Sequence, residues 1–299
     1  MNRAEMMRKI RDANGFIAAL DQSGGSTPRL LEHYGIAQAA WTSDEEMFAL
    51  VHEMRSRIIS SPAFRSGKVI GAILFERTME SEVGGKPAPK ALSDLGIVPF
   101  IKIDKGLETE ADGVQMMKPV PELDRLLERT KQLGLLGTKE RSFIRLAQMD
   151  GIAAVMRQQF DLARQVLAWG LVPIIEAEVS IASPERDAAD RILLKEILAG
   201  LEDIPKDRHV LLKLTFPAAA GRFEPLVGHP RVLRVLALSG GFSRQQACRE
   251  LSRNRGMIAS FSRALLSDLR HDQSDAEFDR RLGVAIDDIY RASTEKVPA

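Results

Sequence analysis

The chain has 299 residues, 44% of them hydrophobic and 28% charged, the balance of a globular protein with a large core rather than of a disordered segment. A net charge of +1 provides no global field to recruit nucleic acid or anionic lipid, so any basic site must be local. The single cysteine, Cys248, excludes an intramolecular disulfide framework and a multi-cysteine zinc site, and none of the five histidines shows HxxxH or HxH metal-ligand spacing.

In chain order, the N-terminal stretch MNRAEMMRKIRDANG is charged and helix-like. It has no apolar run of signal-peptide length, and no segment approaches the ~18 apolar residues of a membrane span, so a cytoplasmic address is expected. Short apolar runs follow at residues 16–21, 69–75, 98–103, 133–139, 171–176, 210–215, 232–238 and 257–261, separated by longer amphipathic stretches. This alternation is the rhythm of strand-helix units, and eight of them predict one closed TIM (β/α)8 barrel over residues 1–299. The helical pattern at 43–59 opens on a Ser43-x-x-Glu46 capping box, and that at 152–169 follows Gly151. The Gly/Pro-rich segment 84–89 reads as a loop. Arg244, Arg249, Arg253 and Arg255, with Glu250 among them, read as a solvated helix face rather than a nucleic-acid patch.

In such a barrel, chemistry sits where strands end. The predicted ends carry Asp21, Lys102, Lys139, Glu176 with Glu178, Lys213, Ser239-Gly240-Gly241 and Arg263. So many ionisable groups converging on one mouth are poorly explained by structural ion pairing alone. The sharpest signal is HVLLKLTFP at residues 209–217, where Lys213 interrupts an otherwise apolar strand. Burying an unpaired ammonium there costs roughly several kcal/mol or forces the amine toward neutrality. A neutral amine attacks carbonyl carbon and forms a Schiff base; the alternative is a lysine that snorkels to the strand end or pairs with a carboxylate. Lys102 and Lys139, at neighbouring mouths, would disfavour a second positive charge at Lys213, or else pair with Glu176 or Asp21. Ser239-Gly240-Gly241 offers backbone N–H groups to an oxyanion and Arg263 adds a planar fork, at the usual phosphate position of a barrel.

Taken in order, the strings GFIAALDQSGGSTP, VHEMRSRI, GAILFERTM, GIVPFIKIDKGL, GTKERS, GLVPIIEAEV, LLKL, ALSGGFSR and ASFSRAL resemble class I fructose-1,6-bisphosphate aldolase, in particular its shorter bacterial branch. The resemblance runs from Gly15 to Ala292. It implies a metal-independent and cofactor-free enzyme that reversibly cleaves a sugar phosphate, fructose 1,6-bisphosphate, to dihydroxyacetone phosphate and glyceraldehyde 3-phosphate. It puts the imine at Lys213, proton transfer at Glu176 and a second carboxylate at Asp21. Glu178 is expected to tune Lys213 or Glu176 from the same strand face, the alternative being an ordinary ion pair. The other phosphate is expected near Ser23, Ser26 and Arg29, with Arg141 as a further ligand. The chain departs from many eukaryotic members at Leu214, where they carry proline, and from many members at Leu30, where a second basic residue often follows. Longer members carry a tail ending in tyrosine, whereas this sequence stops at residues 293–299, so the tail's part in proton transfer is expected to come from elsewhere. A homo-oligomer is compatible with the family; a Schiff-base aldolase for another ketose phosphate, or a non-catalytic scaffold, stays open as an alternative.

Overall fold

A computed structural model describes residues 1–297. Its frame is a nearly closed barrel of eight parallel strands: β1 (Phe16–Leu20), β2 (Val69–Leu74), β3 (Val98–Lys102), β4 (Gly137–Ile144), β5 (Val172–Val179), β6 (Val210–Thr215), β7 (Val232–Leu238) and β8 (Met257–Ala259). Each strand pairs with the next in sequence. The seam between last and first is bridged by Ala19 N–H donating to the Phe261 carbonyl at 3.1 Å. The predicted TIM barrel is the observed one.

Two apolar layers hold it. One fills the barrel with Ile17, Phe100, Ile174, Leu211, Leu236 and Ile258, and is closed by Met6 and Ile10 of the N-terminal helix Arg3–Asp12. The other lies between strands and surrounding helices and takes the alternate residues, such as Ala18, Ile101, Ile175 and Leu212. Strands buried on both faces need no polar side, which is why they read as continuous apolar runs. Close packing also dictates Gly137, because a Cβ built there would stand 1.7 Å from the Val172 carbonyl oxygen.

Several boundaries differ from the sequence expectation for physical reasons. The fourth strand begins at Gly137 rather than at 133, because Leu133 caps the helix Leu123–Gln132 and Gly134 turns the chain at φ +75°. It then continues through Lys139-Glu140-Arg141 to Ile144, a charged stretch that does not look like a buried strand. The fifth extends to Val179, and the eighth stops at Ala259. Segment 84–89 is no plain loop: Glu82–Val83 pairs antiparallel with Lys86–Pro87 around Gly84 and Gly85, both at positive φ, and Ala88–Asp94 is helical. The helix predicted at 43–59 is Asp44–Ser60, with Ser43 accepting from Glu46 N–H at 3.2 Å. Its capping box is half made, since the Glu46 carboxylate accepts from Thr42 instead. The helix predicted at 152–169 is Met149–Ala168. In the arginine group, Arg244 is not on a solvated face; it is largely buried against Asp268 at 2.7 Å and Asp288 at 3.3 Å. No helix is long and apolar enough to cross a membrane.

The last described residues are pinned beside the start of β8, the face opposite the strand ends. The Lys296 ammonium donates to the carbonyls of Leu251, Met257 and Ala292, and Val297 N–H to that of Ser252.

Candidate active site

Strand periodicity builds the site. Side chains two residues apart share a face, so Lys102 lies on the inward face with Phe100, Glu176 with Ile174, and Lys213 with Leu211, the earlier residue of each pair lying in the barrel core. Lys102 is opposite Lys139, and Glu176 opposite Lys213, in the strand register. The polar cluster therefore caps the barrel core one layer nearer the C-terminal mouth. Asp21, one residue beyond β1, completes it from across the barrel.

Lys139 is the hub. Its ammonium lies 2.8 Å from Asp21 Oδ2, 2.8 Å from Glu176 Oε2 and 3.9 Å from Asp104 Oδ2. The other Glu176 oxygen is 3.3 Å from Lys213 Nζ, so one carboxylate joins both lysines. Lys102 pairs with Asp104 at 2.8 Å. Lys139, Glu176, Lys213, Asp21 and Asp104 are all buried, which makes the charges interdependent. Burial alone would lower Lys139, but Asp21, Glu176 and Asp104 outweigh it and hold it well above the ordinary lysine range. Burial would raise Asp21 and Glu176, and in both Lys139, then Lys213, pulls the carboxyl below its usual value. Lys213 is thus buried and paired with a carboxylate, as the second of the two sequence alternatives has it.

The remaining candidates fall in two groups. Ser239 is buried at the end of β7, Gly240 and Gly241 turn the chain at φ +58° and +109°, and a Cβ on Gly241 would stand 3.7 Å from Arg263 Nη2. Arg263 is exposed and opens the short helix Arg263–Leu266 instead of ending a strand. The loops after β7 and β8 thus bring Gly241 and Arg263 side by side. Across the β1–β8 seam from Arg263, half-buried Ser23 precedes the turn Gly24–Ser26, and exposed Arg29 sits on the helix Thr27–Tyr34; the Ser26 side chain lies outside the described residues.

Glu178 does not tune Lys213 or Glu176 by contact. It engages Arg141 Nε at 2.6 Å, the ordinary ion pair of the two alternatives, and Arg141 is tied accordingly. Two buried carboxyls beside the cluster, Asp104 and Glu140, received no role from the sequence. Asp104 stands two residues after Lys102, a spacing that places both on one side and so was visible. Glu140 faces away from the mouth and bonds only the Thr138 hydroxyl, at 3.3 Å, among the described residues. Burial and then the Asp104 carboxylate push it well above the usual range. No group of three or more His, Cys, Asp or Glu among the described residues is arranged to hold a metal.

A family model described as fructose-bisphosphate aldolase class-I matches residues 5–216. That span contains Asp21, Lys102, Lys139, Glu176 and Lys213, and stops before Ser239 and Arg263. Among solved structures, fructose-bisphosphate aldolase from Plasmodium falciparum, crystallised with TRAP and a small-molecule inhibitor, superposes with a TM-score of 0.77 at 19% identity, covering 99% of this chain and 95% of that one. A protein from Corynebacterium glutamicum gives a TM-score of 0.53 at 13% identity, covering 97% and 92%. Both likenesses are of fold.

Proposed function

The chain belongs to the class I fructose-bisphosphate aldolase family, and from that premise we propose that it cleaves fructose 1,6-bisphosphate reversibly to dihydroxyacetone phosphate and glyceraldehyde 3-phosphate through a Schiff base on Lys213. The observation that carries this proposal is the buried chain Lys213–Glu176–Lys139–Asp21 at the barrel mouth, flanked by two basic, serine- and glycine-bearing turns.

The Lys213 amine attacks the C2 carbonyl and gives a carbinolamine that must lose water. Glu176, 3.3 Å from the amine, takes and returns the protons this exchange requires. The iminium then acts as electron sink, the C3–C4 bond breaks, and a carboxylate accepts the C4 hydroxyl proton as the aldehyde departs. Protonation of the enamine and hydrolysis release the second product and restore the amine. Lys139 keeps Asp21 and Glu176 ionised and fixes their directions, so both remain bases in a buried site. Ser239, Gly240, Gly241 and Arg263 hold the phosphate of the half bound to Lys213, and Ser23, Ser26 and Arg29 the other.

The test is cleavage of fructose 1,6-bisphosphate followed by NADH oxidation through glycerol-3-phosphate dehydrogenase, with fructose 1-phosphate alongside. Turnover of the bisphosphate at the higher kcat/KM is expected. Turnover of neither ketose, by protein that is folded, would reject the proposal.

A further inference from the structure

Arg55, on the helix Asp44–Ser60, is only 1% exposed, and no carboxylate among the described residues pairs with it. A buried guanidinium without an ion-pair partner is costly, and an apolar side chain of similar volume would pack there at less cost. The position therefore uses the guanidinium's geometry. Nη1 donates to the Thr78 hydroxyl at 2.8 Å, and Nη2 donates to the Gln22 carbonyl at 2.6 Å and reaches the Gln22 side-chain oxygen at 3.4 Å. Burial works against its charge, and the Asp21 carboxylate offsets that in part.

Gln22 is the residue between Asp21 and Ser23. Its side-chain amide donates to the Ala19 carbonyl at 3.3 Å and to the Ser262 hydroxyl, next to Arg263. It thus spans the seam where β1 and β8 meet. One rigid fork, anchored in the helix layer, controls a peptide that adjoins Asp21 and a side chain that braces the turn carrying Arg263.

We propose that Arg55 is a positioning residue for the reaction: through Gln22 it holds Asp21 on Lys139 and braces the Ser262–Arg263 turn against the end of β1. Lysine cannot substitute, because a point charge does not hold two acceptors in fixed directions. The inference rests on the roles given above to Asp21 and Arg263.

Arg55→Lys and Arg55→Met are the variants, each compared with wild type by kinetics and by crystal structure. A displacement of Asp21 of about 1 Å should lower kcat on both ketoses by up to about 10²-fold. Borohydride should still label Lys213 with full stoichiometry in both variants. Guanidinium ion added to Arg55→Ala should restore part of kcat, and methylammonium should not. Gln22→Ala, which spares the backbone carbonyl, should raise KM for both ketoses more than it lowers kcat, and it decides the brace should the Arg55 variants fail to fold. In the Arg55→Met crystal structure, the Asp21–Lys139 contact of 2.8 Å should be lost. Kinetic constants within twofold of wild type in Arg55→Lys, or an unchanged Asp21–Lys139 contact in Arg55→Met, would overturn the proposal. If wild type cleaves neither ketose, the proposed function fails, and the crystal structures still decide whether Arg55 positions Asp21.

Discussion

Replacing Lys139 with methionine removes the hub of the buried cluster while keeping an apolar side chain of similar length. Asp21 and Glu176, each 2.8 Å from the ammonium in the wild type, and Asp104 at 3.9 Å lose that partner, and the lysines still paired in the cluster are Lys102 on Asp104 and Lys213 on Glu176. Breaking a buried ion pair from one side costs about 3–5 kcal/mol. A chain of 299 residues has an unfolding entropy of about 0.6 kcal/mol/K, so the melting temperature should fall by roughly 5–8 °C. The pH dependence is the sharper test. In the wild type Asp21 and Glu176 lie below their ordinary values, so their contribution is present above the unfolded carboxylate pKa of about 4 and is lost as pH falls through the folded values. Without Lys139, burial dominates and the carboxyls rise, so the variant's stability is lost as pH rises. The difference between the proteins, measured by urea denaturation, should be largest near pH 8 and shrink toward pH 5. A difference below about 1 kcal/mol, or one that does not change with pH, would refute the hub assignment.

Glu176→Gln keeps size and hydrogen bonding but cannot exchange a proton, so kcat should fall by roughly 10² to 10⁴ with a smaller change in KM; equal changes in both would make Glu176 a binding group. Arg263→Ala should weaken fructose 1,6-bisphosphate and fructose 1-phosphate alike by about 1.5–3 kcal/mol, whereas Arg29→Ala should penalise only the bisphosphate. Steady-state kinetics on both ketoses decide, and the opposite pattern would mean the two phosphate ends are reversed. Glu140, raised by burial and Asp104, contributes stability that is present below its unfolded pKa and lost as pH rises through the folded value. Glu140→Gln should therefore flatten the alkaline fall in melting temperature, and parallel curves for the two proteins would show that Glu140 is ionised in the fold.

The fold was legible because a barrel strand covered on both faces must be apolar throughout, and such runs stand out between amphipathic helices. Lys213 was legible for the same reason, as the one charge in the run Val210–Thr215. The bounds of the strand carrying Lys139 were not legible because its mouth half, Lys139-Glu140-Arg141, is charged; Lys139 and Arg141 are matched by Glu176 and Glu178 of the next strand, which no local pattern displays. Glu178 looked like part of the reacting cluster because it shares a face with Glu176, yet the nearer arginine took it. Arg55 lay inside a quoted string, but its partners Gln22 and Thr78 come from two other segments and only folding brings them together.

Borohydride reduction in the presence of dihydroxyacetone phosphate, followed by peptide mapping, tests the central claim most directly. The adduct should appear on Lys213 alone and be absent from a folded Lys213→Met variant that has lost cleavage. An adduct on Lys102, Lys105 or Lys139, or cleavage surviving in Lys213→Met, would contradict it.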